Sequence, residues 1–199
     1  MANVKISKKI WWGIKSLWYF IWGNLFAVFI YDRKYLKGRH FESKYWGIGA
    51  KGWEWVYRNF PYQAFLGINS GVPWPVVPQS RIGNYKNIEF HPDNLDNFQS
   101  FGVYFQAIGA KIIIGEGATF APNVGVITAN HDLYDPDIQA EGREVRIGKK
   151  CWIGMNAMIM PGVVLGDHTI VGAGSVVTKS FPDGYCIIAG NPAKVIKTL

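Results

Sequence analysis

Aliphatic residues recur at every sixth position in the C-terminal half of the chain. Six successive positions with this spacing hold Ile147, Ile153, Ile159, Leu165, Val171 and Val177. Glycine directly follows four of the six. A period of six fits neither the 3.6-residue period of a helix nor the two-residue period of a strand. It predicts an all-β solenoid whose coils are built from hexapeptides.

The other positions of the repeat support the same phase. The fifth position of each unit is small or compact, as the crowded corner of a narrow coil requires, and holds Cys151, Ala157, Val163, Thr169 and Ser175. The spacing also occurs upstream, at Ile108, Ile114, Phe120 and Val126, and more weakly at Ile82 and Ile88. The solenoid is therefore predicted to begin near Ile82, with an irregular insertion at 91–100.

One segment interrupts the repeat. Val126 and Ile147 are 21 residues apart, which is not a multiple of six. Residues 131–146 are therefore predicted to leave the coil as a loop, and their Asp, Glu, Pro and Gly content fits a loop. Loops that project from a rigid scaffold commonly carry binding and catalytic residues.

The N-terminal segment has a different composition. Residues 10–31 are almost entirely apolar or aromatic, with lysines before them and Arg33, Lys34, Lys37 and Arg39 after them. Residues 1–60 carry eleven Lys and Arg against three Asp and Glu, whereas 61–199 carry ten against eleven. All of the basic excess is thus N-terminal. These differences predict an aromatic, basic helical segment at 1–66 and a hexapeptide-repeat domain at 67–199.

Several roles are open to the N-terminal segment. Its charges flank the apolar block and do not alternate with aromatic residues, which argues against nucleic-acid binding. No small-x-small cleavage site follows, which argues against a secretory signal. A membrane-spanning helix, a subunit contact and a helix in the membrane interface remain, and Trp, Tyr and flanking cations favour the interface of an anionic membrane.

Two cysteines are too few for a disulfide framework, which suits a reducing compartment. We therefore expect a cytoplasmic protein, peripheral at the inner face of the cell membrane.

Four motifs in the repeat region carry a specific resemblance. They are Phe-Ala-Pro-Asn-Val at 120–124, Cys-Trp-Ile-Gly at 151–154, Gly-Ala-Gly-Ser-Val-Val-Thr-Lys at 172–179 and Gly-Asn-Pro-Ala-Lys at 190–194. From Ile108 to the C terminus the chain resembles the hexapeptide-repeat O-acetyltransferases that modify galactosides, maltose and capsular polysaccharides. The resemblance implies a left-handed parallel β-helix, homotrimers with active sites between adjacent prisms, acetyl-CoA as donor and a saccharide of the cell envelope as acceptor.

The resemblance also implies a general base. His131 lies at the mouth of the predicted loop, where the family places its catalytic histidine. An imidazole exchanges its proton near neutral pH and can take the proton of an attacking hydroxyl. Asp132, Asp135 and Glu144 are candidates for fixing its tautomer, and the sequence does not choose among them.

Binding residues follow from the same resemblance. Trp152 would line the thioester end of acetyl-CoA, and the backbone at Gly154 or Met155 would approach the thioester oxygen. The rest of the cofactor would meet Ala173, Thr178, Lys179 and Lys194. The two lysines suit phosphate because each is a compact point charge.

The acceptor region departs from the family pattern. Galactoside-type enzymes hold their sugar with an Asn and an Asp in the preceding coil, but residues 101–108 contain no carboxylate. Tyr104 and Gln106 are the substitutes that this region offers, together with Asn130 beside the catalytic position. The acceptor is therefore expected to differ from a galactoside.

Three other functions fit parts of the sequence. Acetylation of an antibiotic is possible in the same fold, but it would not need the basic aromatic N terminus. A metal-dependent hydratase requires three convergent histidines, and only His131 is well placed, so no metal is expected. A non-catalytic β-helix binding module has no need of the histidine and the Gly-Ala-Gly-Ser-Val-Val-Thr-Lys segment together.

Overall fold

The computed structural model describes residues 2–199, and their side chains from residue 8 onward. Lys5, part of the predicted basic flank, lies outside the described side chains. The chain forms two compact units, residues 1–78 and 79–199. The segment 67–78, which the sequence assigned to the repeat domain, lies in the first unit.

The first unit is built on two helices, α1 (Ala2–Ile30) and α2 (Lys51–Ala64). Short 3-10 helices at Arg33–Tyr35 and Gly38–His40 connect them. The face of α1 against α2 carries small buried residues, Ser16, Gly23 and Ala27. A Cβ atom at Gly23 would lie 2.8 Å from the carbonyl oxygen of Trp53, so only glycine permits this approach. Beside these small residues, Phe20 and Phe26 of α1 pack on Trp53 and Phe60 of α2, with ring centroids 5.7 Å and 4.3 Å apart. Other large apolar side chains of α1 are exposed.

The side chain of Gln63 holds the segment 67–78 in the first unit. Its oxygen accepts hydrogen bonds from the Tyr31 hydroxyl (2.8 Å) and the Val76 N–H (3.1 Å). Its nitrogen donates to the carbonyls of Val72 (3.3 Å) and Trp74 (3.2 Å). Burial raises the pKa of Tyr31, so its hydroxyl keeps the proton that it donates. A buried amide with this many partners fixes an extended segment that has no regular structure of its own.

The stretch Lys8–Ile30 of α1 is long and apolar enough to cross a membrane, with a mean hydropathy of 1.3. Most of it is exposed, since 17% of its apolar window is buried. It is the one such helix in the described part of the chain. Length and composition alone do not separate a spanning helix from one that lies on a surface.

The second unit consists of short strands. In chain order they are β1 (Arg81–Ile82), β2 (Ile88–Phe90), β3 (Tyr104–Phe105), β4 (Ile112–Ile114), β5 (Thr119–Phe120), β6 (Gly125–Val126), β7 (Val145–Ile147), β8 (Trp152–Ile153), β9 (Met158–Ile159), β10 (Val164–Leu165), β11 (Ile170–Val171), β12 (Val176–Val177), β13 (Cys186–Gly190) and β14 (Ala193–Thr198).

These strands form three sheets. Sheet A has the order β1-β3-β6-β9-β12, sheet B β2-β4-β7-β10 and sheet C β5-β8-β11-β13-β14. From β3 to β12 successive strands enter sheets A, B and C in turn. All strand pairs are parallel except β13 with β14. The predicted left-handed parallel β-helix is confirmed. Its three edges are called here the A–B, B–C and C–A corners.

The predicted repeat positions form the core, with the exception of Ile108, which is 37% exposed and lies outside the strands. All six aliphatic positions from Ile147 to Val177 are at most 2% exposed. The compact fifth positions from Cys151 to Ser175 are at most 1% exposed. The predicted insertion at 91–100 contains a 3-10 helix, Pro92–Gln99, whose Asn97 side chain accepts from the Phe120 N–H (2.9 Å) and donates to the Ala118 carbonyl (2.9 Å).

The predicted loop is displaced by a few residues. Strand β6 ends at Val126 and β7 begins at Val145, so the excursion comprises 127–144 and not 131–146. Val145 and Arg146 pair with Ile112 and Ile113 of β4. Strand pairing therefore begins before the first aliphatic position of the repeat, which the sixfold spacing does not reveal.

Candidate active site

The excursion 127–144 leaves the β-helix at the A–B corner of the third coil and returns as a hairpin. His131 lies opposite Gln139 in an antiparallel bridge. The hairpin is closed by backbone hydrogen bonds from the N–H groups of Arg143, Ala140 and Asp132 to the carbonyls of Thr128 (2.7 Å), Asn130 (2.9 Å) and Ile138 (2.8 Å). The catalytic candidate thus sits on a short ladder and not on an open loop.

Gln106 fixes the root of this hairpin. Its side-chain oxygen accepts hydrogen bonds from the backbone N–H groups of Thr128 (3.1 Å) and Ala129 (3.0 Å). The Thr128 hydroxyl donates to the Ile108 carbonyl (2.7 Å). Gln106 was predicted to bind substrate, but its side-chain oxygen already accepts two hydrogen bonds from the backbone at the root of the hairpin. Its side chain therefore positions the backbone that carries His131.

The ring of His131 is held by the main chain. Its Nδ1 atom lies 2.6 Å from the carbonyl oxygen of Pro136. A carbonyl oxygen can only accept, so Nδ1 carries the hydrogen of this bond. In the neutral ring the proton-accepting lone pair is then on Nε2. The side chain is exposed, so an incoming hydroxyl can reach that nitrogen.

None of the three candidate carboxylates forms a hydrogen bond or an ion pair with His131 in the described part of the chain. Asp132 accepts from the Tyr134 N–H (2.8 Å), and Asp135 accepts from the Asp137 N–H (3.0 Å). Glu144 forms an ion pair with Arg146 at 2.6 Å. The orienting group is instead a backbone carbonyl, which has no side-chain signature in the sequence.

Four of the predicted acetyl-CoA residues lie together elsewhere on the prism. Gly154, Met155 and Ala173 form the C–A corner of two successive coils, and Trp152, 56% exposed, precedes them on sheet C. The Gly154 N–H donates to the Val171 carbonyl at 2.8 Å.

A Cβ atom at Gly154 would lie 2.7 Å from the Ala173 nitrogen, so the two coils are in close contact there. The backbone N–H groups of Met155 and Ala173 have no backbone acceptor among the described residues. This amide ledge, residues 154–155 and 173, offers exposed donors to a ligand.

The other predicted binding residues lie at other corners and sheets of the β-helix. Thr178 and Lys179 follow β12 at the A–B corner, and Lys194 lies on β14 opposite Ala189. All three are exposed. Tyr104 lies half-buried on β3 in sheet A, paired with Gly125. A single chain therefore does not bring His131 and Trp152 together, because they occupy the A–B corner and sheet C.

Cys151 and Cys186 are free and buried. Burial raises the pKa of the Cys151 thiol to about 11. The Cys151 thiol is thus protonated at neutral pH and donates to the Gly166 carbonyl (3.2 Å). A thiol is a weak nucleophile compared with a thiolate, so Cys151 has a structural role.

His131 belongs to no cluster of potential metal ligands in the described residues. The one cluster found there is His91, Asp93 and Glu116, whose ligand atoms lie within 4.8 Å of one another. In this cluster His91 Nδ1 already accepts the Asp93 N–H at 3.2 Å.

The chain is similar in sequence to known proteins. Residues 144–179 match the family profile of the bacterial transferase hexapeptide, six repeats. A putative acetyltransferase of Saccharomyces cerevisiae is 40% identical over 108 residues, which are 52% of this chain and 54% of the yeast protein. The galactoside O-acetyltransferase of Escherichia coli K12 is 35% identical over 92 residues, 44% of each chain. A putative colanic acid biosynthesis acetyltransferase of the same organism is 36% identical over 87 residues, 44% of this chain and 47% of that protein.

The fold and these matches define the class: a left-handed β-helix that carries bacterial transferase hexapeptide repeats. The resemblance to hexapeptide-repeat O-acetyltransferases is confirmed. The chain spans about half the length of the curated relatives that it matches.

The role of Gln106 can be tested with two variants. Gln106→Leu removes the acceptor of two backbone N–H groups, and we expect amide hydrogen exchange at Thr128 and Ala129 to become about fivefold faster or more, the equivalent of about 1 kcal/mol. Gln106→Glu keeps an acceptor oxygen of the same reach and should preserve slow exchange. Unchanged exchange in Gln106→Leu would contradict the positioning role.

Proposed function

We propose that the protein is an acetyl-CoA-dependent O-acetyltransferase that acts on a hydroxyl of a saccharide. The observation that carries this proposal is the state of His131: an exposed imidazole whose Nδ1–H is committed to the Pro136 carbonyl at 2.6 Å. Its Nε2 is then a proton acceptor held in a fixed direction, which is what a general base requires.

The transfer step follows from this arrangement. Nε2 of His131 takes the proton of the sugar hydroxyl while the hydroxyl oxygen attacks the carbonyl carbon of the thioester. The tetrahedral intermediate then breaks its carbon–sulfur bond, and the same proton passes from the imidazolium to the departing sulfur. Backbone donors that stabilise the developing oxyanion are expected in such a reaction. The Met155 N–H is the better candidate, because the Gly154 N–H already donates to the Val171 carbonyl.

A complete site requires more than one chain. His131 lies at the A–B corner, whereas the amide ledge lies at the C–A corner. We infer that the hairpin of one chain faces the ledge of the next. A contact between two different surfaces closes into a ring when its rotation permits. The resemblance to hexapeptide-repeat enzymes supports a ring of three, with one site at each boundary.

The acceptor is inferred from the relatives and from the site. The names of two relatives refer to a galactoside and to colanic acid biosynthesis. In this chain Gln106 is engaged with the backbone, which leaves Asn130 and Tyr104 as the candidates to contact a sugar. We propose a saccharide of the cell envelope or a polysaccharide precursor.

The first unit supports a place for this reaction at the cytoplasmic face of the membrane. The outward face of α1 is apolar, and each of its large side chains is at least 46% exposed: Ile10, Trp11, Ile14, Leu17, Trp18, Ile21, Leu25, Val28 and Phe29. Exposed apolar surfaces of this extent mark membrane or protein contacts. The unit carries eleven Lys and Arg against three Asp and Glu, so it repels a second copy and attracts anionic lipid.

The packing of α2 supports an orientation parallel to the membrane. Its charged residues Lys51, Glu54 and Arg58 line a cavity with Trp12 and Lys15 of α1. If α1 crossed the bilayer, these charges would enter the hydrocarbon region, at a cost of roughly 2.5–3.5 kcal/mol for each unpaired charge. With α1 in the interface, its apolar face meets the acyl chains and α2 remains in contact with water.

We expect His131→Asn to lower kcat by about 10²-fold or more, the usual scale for a positioned general base. Asparagine retains an N–H donor near the position of Nδ1, so the bond to the Pro136 carbonyl can persist while the base is lost. The measurement is acetyl transfer to a panel of soluble saccharides, with the melting temperature as a check on folding. His168→Asn, at a half-buried histidine stacked on Tyr185, is the control and should retain full activity.

Near-normal turnover of folded His131→Asn would exclude His131 as the base. If all saccharides fail with the wild-type protein while a small antibiotic is acetylated, the acceptor class is wrong.

The cofactor assignment predicts a dependence on phosphate. Lys179→Ala and Lys194→Ala should each raise the KM for acetyl-CoA severalfold, because a phosphate-binding cation is lost. The KM for acetyl-pantetheine, which lacks the nucleotide, should change little. Lys149→Ala, an exposed lysine at the B–C corner, serves as the control. Equal effects on both thioesters would contradict the assignment.

The membrane placement predicts binding to anionic vesicles that weakens as salt is added. Ile21→Glu places a charge in the middle of the outward face of α1 and should abolish binding. Ile196→Glu, at an exposed apolar residue of β14, should leave it intact. Cosedimentation with phosphatidylcholine vesicles, with and without phosphatidylglycerol, measures both.

Resistance to salt and alkaline extraction would indicate a spanning helix and contradict the placement. Loss of the oligomer on deletion of residues 1–40, without vesicle binding by the full chain, would make α1 an assembly element.

A further inference from the structure

A cavity of about 240 Å³ lies between the amino-terminal half of α1 and the beginning of α2. Its volume is several times the roughly 30 Å³ that a water molecule occupies in the liquid. We call it the basic cavity. It is lined by Trp12, Lys15, Ser16, Tyr19, Gly49, Ala50, Lys51, Glu54 and Arg58.

The charges around the basic cavity do not cancel. Glu54 is its one carboxylate and pairs with both Lys51 (2.5 Å) and Arg58 (2.8 Å). Lys15 has no carboxylate partner among the described residues, and its ammonium lies 5.3 Å from the ring centroid of Trp11. Three cations against one anion leave an excess of two positive charges. The cavity therefore favours an anion.

Ser16 gives an independent indication of a ligand. It lines the cavity, its exposure is 8%, and its hydroxyl has no hydrogen-bond partner among the described residues. The hydroxyl can therefore donate to an acceptor oxygen of a bound ligand. The beginning of α2 lies at the same place, and no side chain caps it at Ala50. Unpaired N–H groups at a helix start add to the attraction for an anion.

The neighbouring surface indicates the source of the anion. The apolar outward face of α1 begins beside the cavity, where Trp11 and Trp12 are 59% and 62% exposed. A ligand with a phosphate in the cavity and apolar chains along α1 would satisfy both surfaces. We propose that the basic cavity binds the phosphate of an anionic membrane lipid, with Lys15, Arg58 and the Ser16 hydroxyl as its contacts. This proposal rests on the membrane placement described above.

The test compares full-length variants by their affinity for phosphatidylcholine vesicles that contain phosphatidylglycerol. Lys15→Gln should weaken binding tenfold or more. Lys37→Gln is the control, because it removes an exposed cation of the same unit outside the cavity and should cost about fivefold, or about 1 kcal/mol. Ser16→Ala changes no charge and should weaken binding about threefold with an unchanged salt dependence, whereas exposed Ser70→Ala should have no effect. Circular dichroism confirms that each variant is folded.

A second arm distinguishes lipid from free phosphate. Inorganic phosphate alone, titrated against the protein while Trp fluorescence is followed, should bind weakly and compete poorly with vesicles. Tight binding of phosphate that is lost in Lys15→Gln, with vesicle affinity unchanged in every cavity variant, would overturn the lipid assignment.

Equal losses of vesicle affinity in Lys15→Gln and Lys37→Gln, with no effect of Ser16→Ala, would show that the cavity is not a binding site. Failure of the wild-type protein to bind any anionic vesicle would contradict the membrane placement as well. It would not bear on the proposed acetyl transfer, which is measured separately with soluble saccharides.

Discussion

The column of buried aliphatic side chains inside the β-helix is the constraint on which the second unit depends. Each strand lies in register with the strand of the next coil, so Val126 pairs with Ile159, and Ile159 with Val177. These residues are fully buried. Removal of apolar surface from water stabilises the fold by roughly 25 cal/mol per Å². A coil that loses its register would expose this surface, so any insertion must leave and re-enter the column at fixed points.

The hairpin at 127–144 satisfies this constraint and gains rigidity from it. Gln106 belongs to the coil before the excursion, and its oxygen holds the two N–H groups at the root of the hairpin. The ladder continues to Asn130, and the Pro136 carbonyl then holds the ring of His131. Hydrogen bonds thus connect the column to the imidazole. A proposed general base that projects from the prism can in this way keep one direction, which lowers the entropy cost of bringing it to a hydroxyl.

The sequence predicted those features that depend on side-chain period and local composition. The repeat positions from Ile147 to Val177, the excursion and the helical N terminus are of this kind, because each leaves a local pattern. Other features depend on main-chain atoms or on contacts between distant segments. The Pro136 carbonyl that orients His131 replaces the expected carboxylate, and Gln106 binds backbone. Gln63 likewise holds 67–78 in the first unit, because an amide side chain does not reveal its partners.

Helix α1 has two different apolar faces. Gly23 and the rings of Phe20 and Phe26 pack against α2, whereas large apolar residues such as Ile21 and Val28 are exposed. In water the outward face of α1 would cost free energy that no contact within the described unit recovers. The proposed contact with a bilayer would recover it, and the surrounding cations, Lys15 and Arg33 among them, favour an anionic one. The exposed apolar face of α1 and the charge of its unit therefore support the same proposed partner on independent grounds.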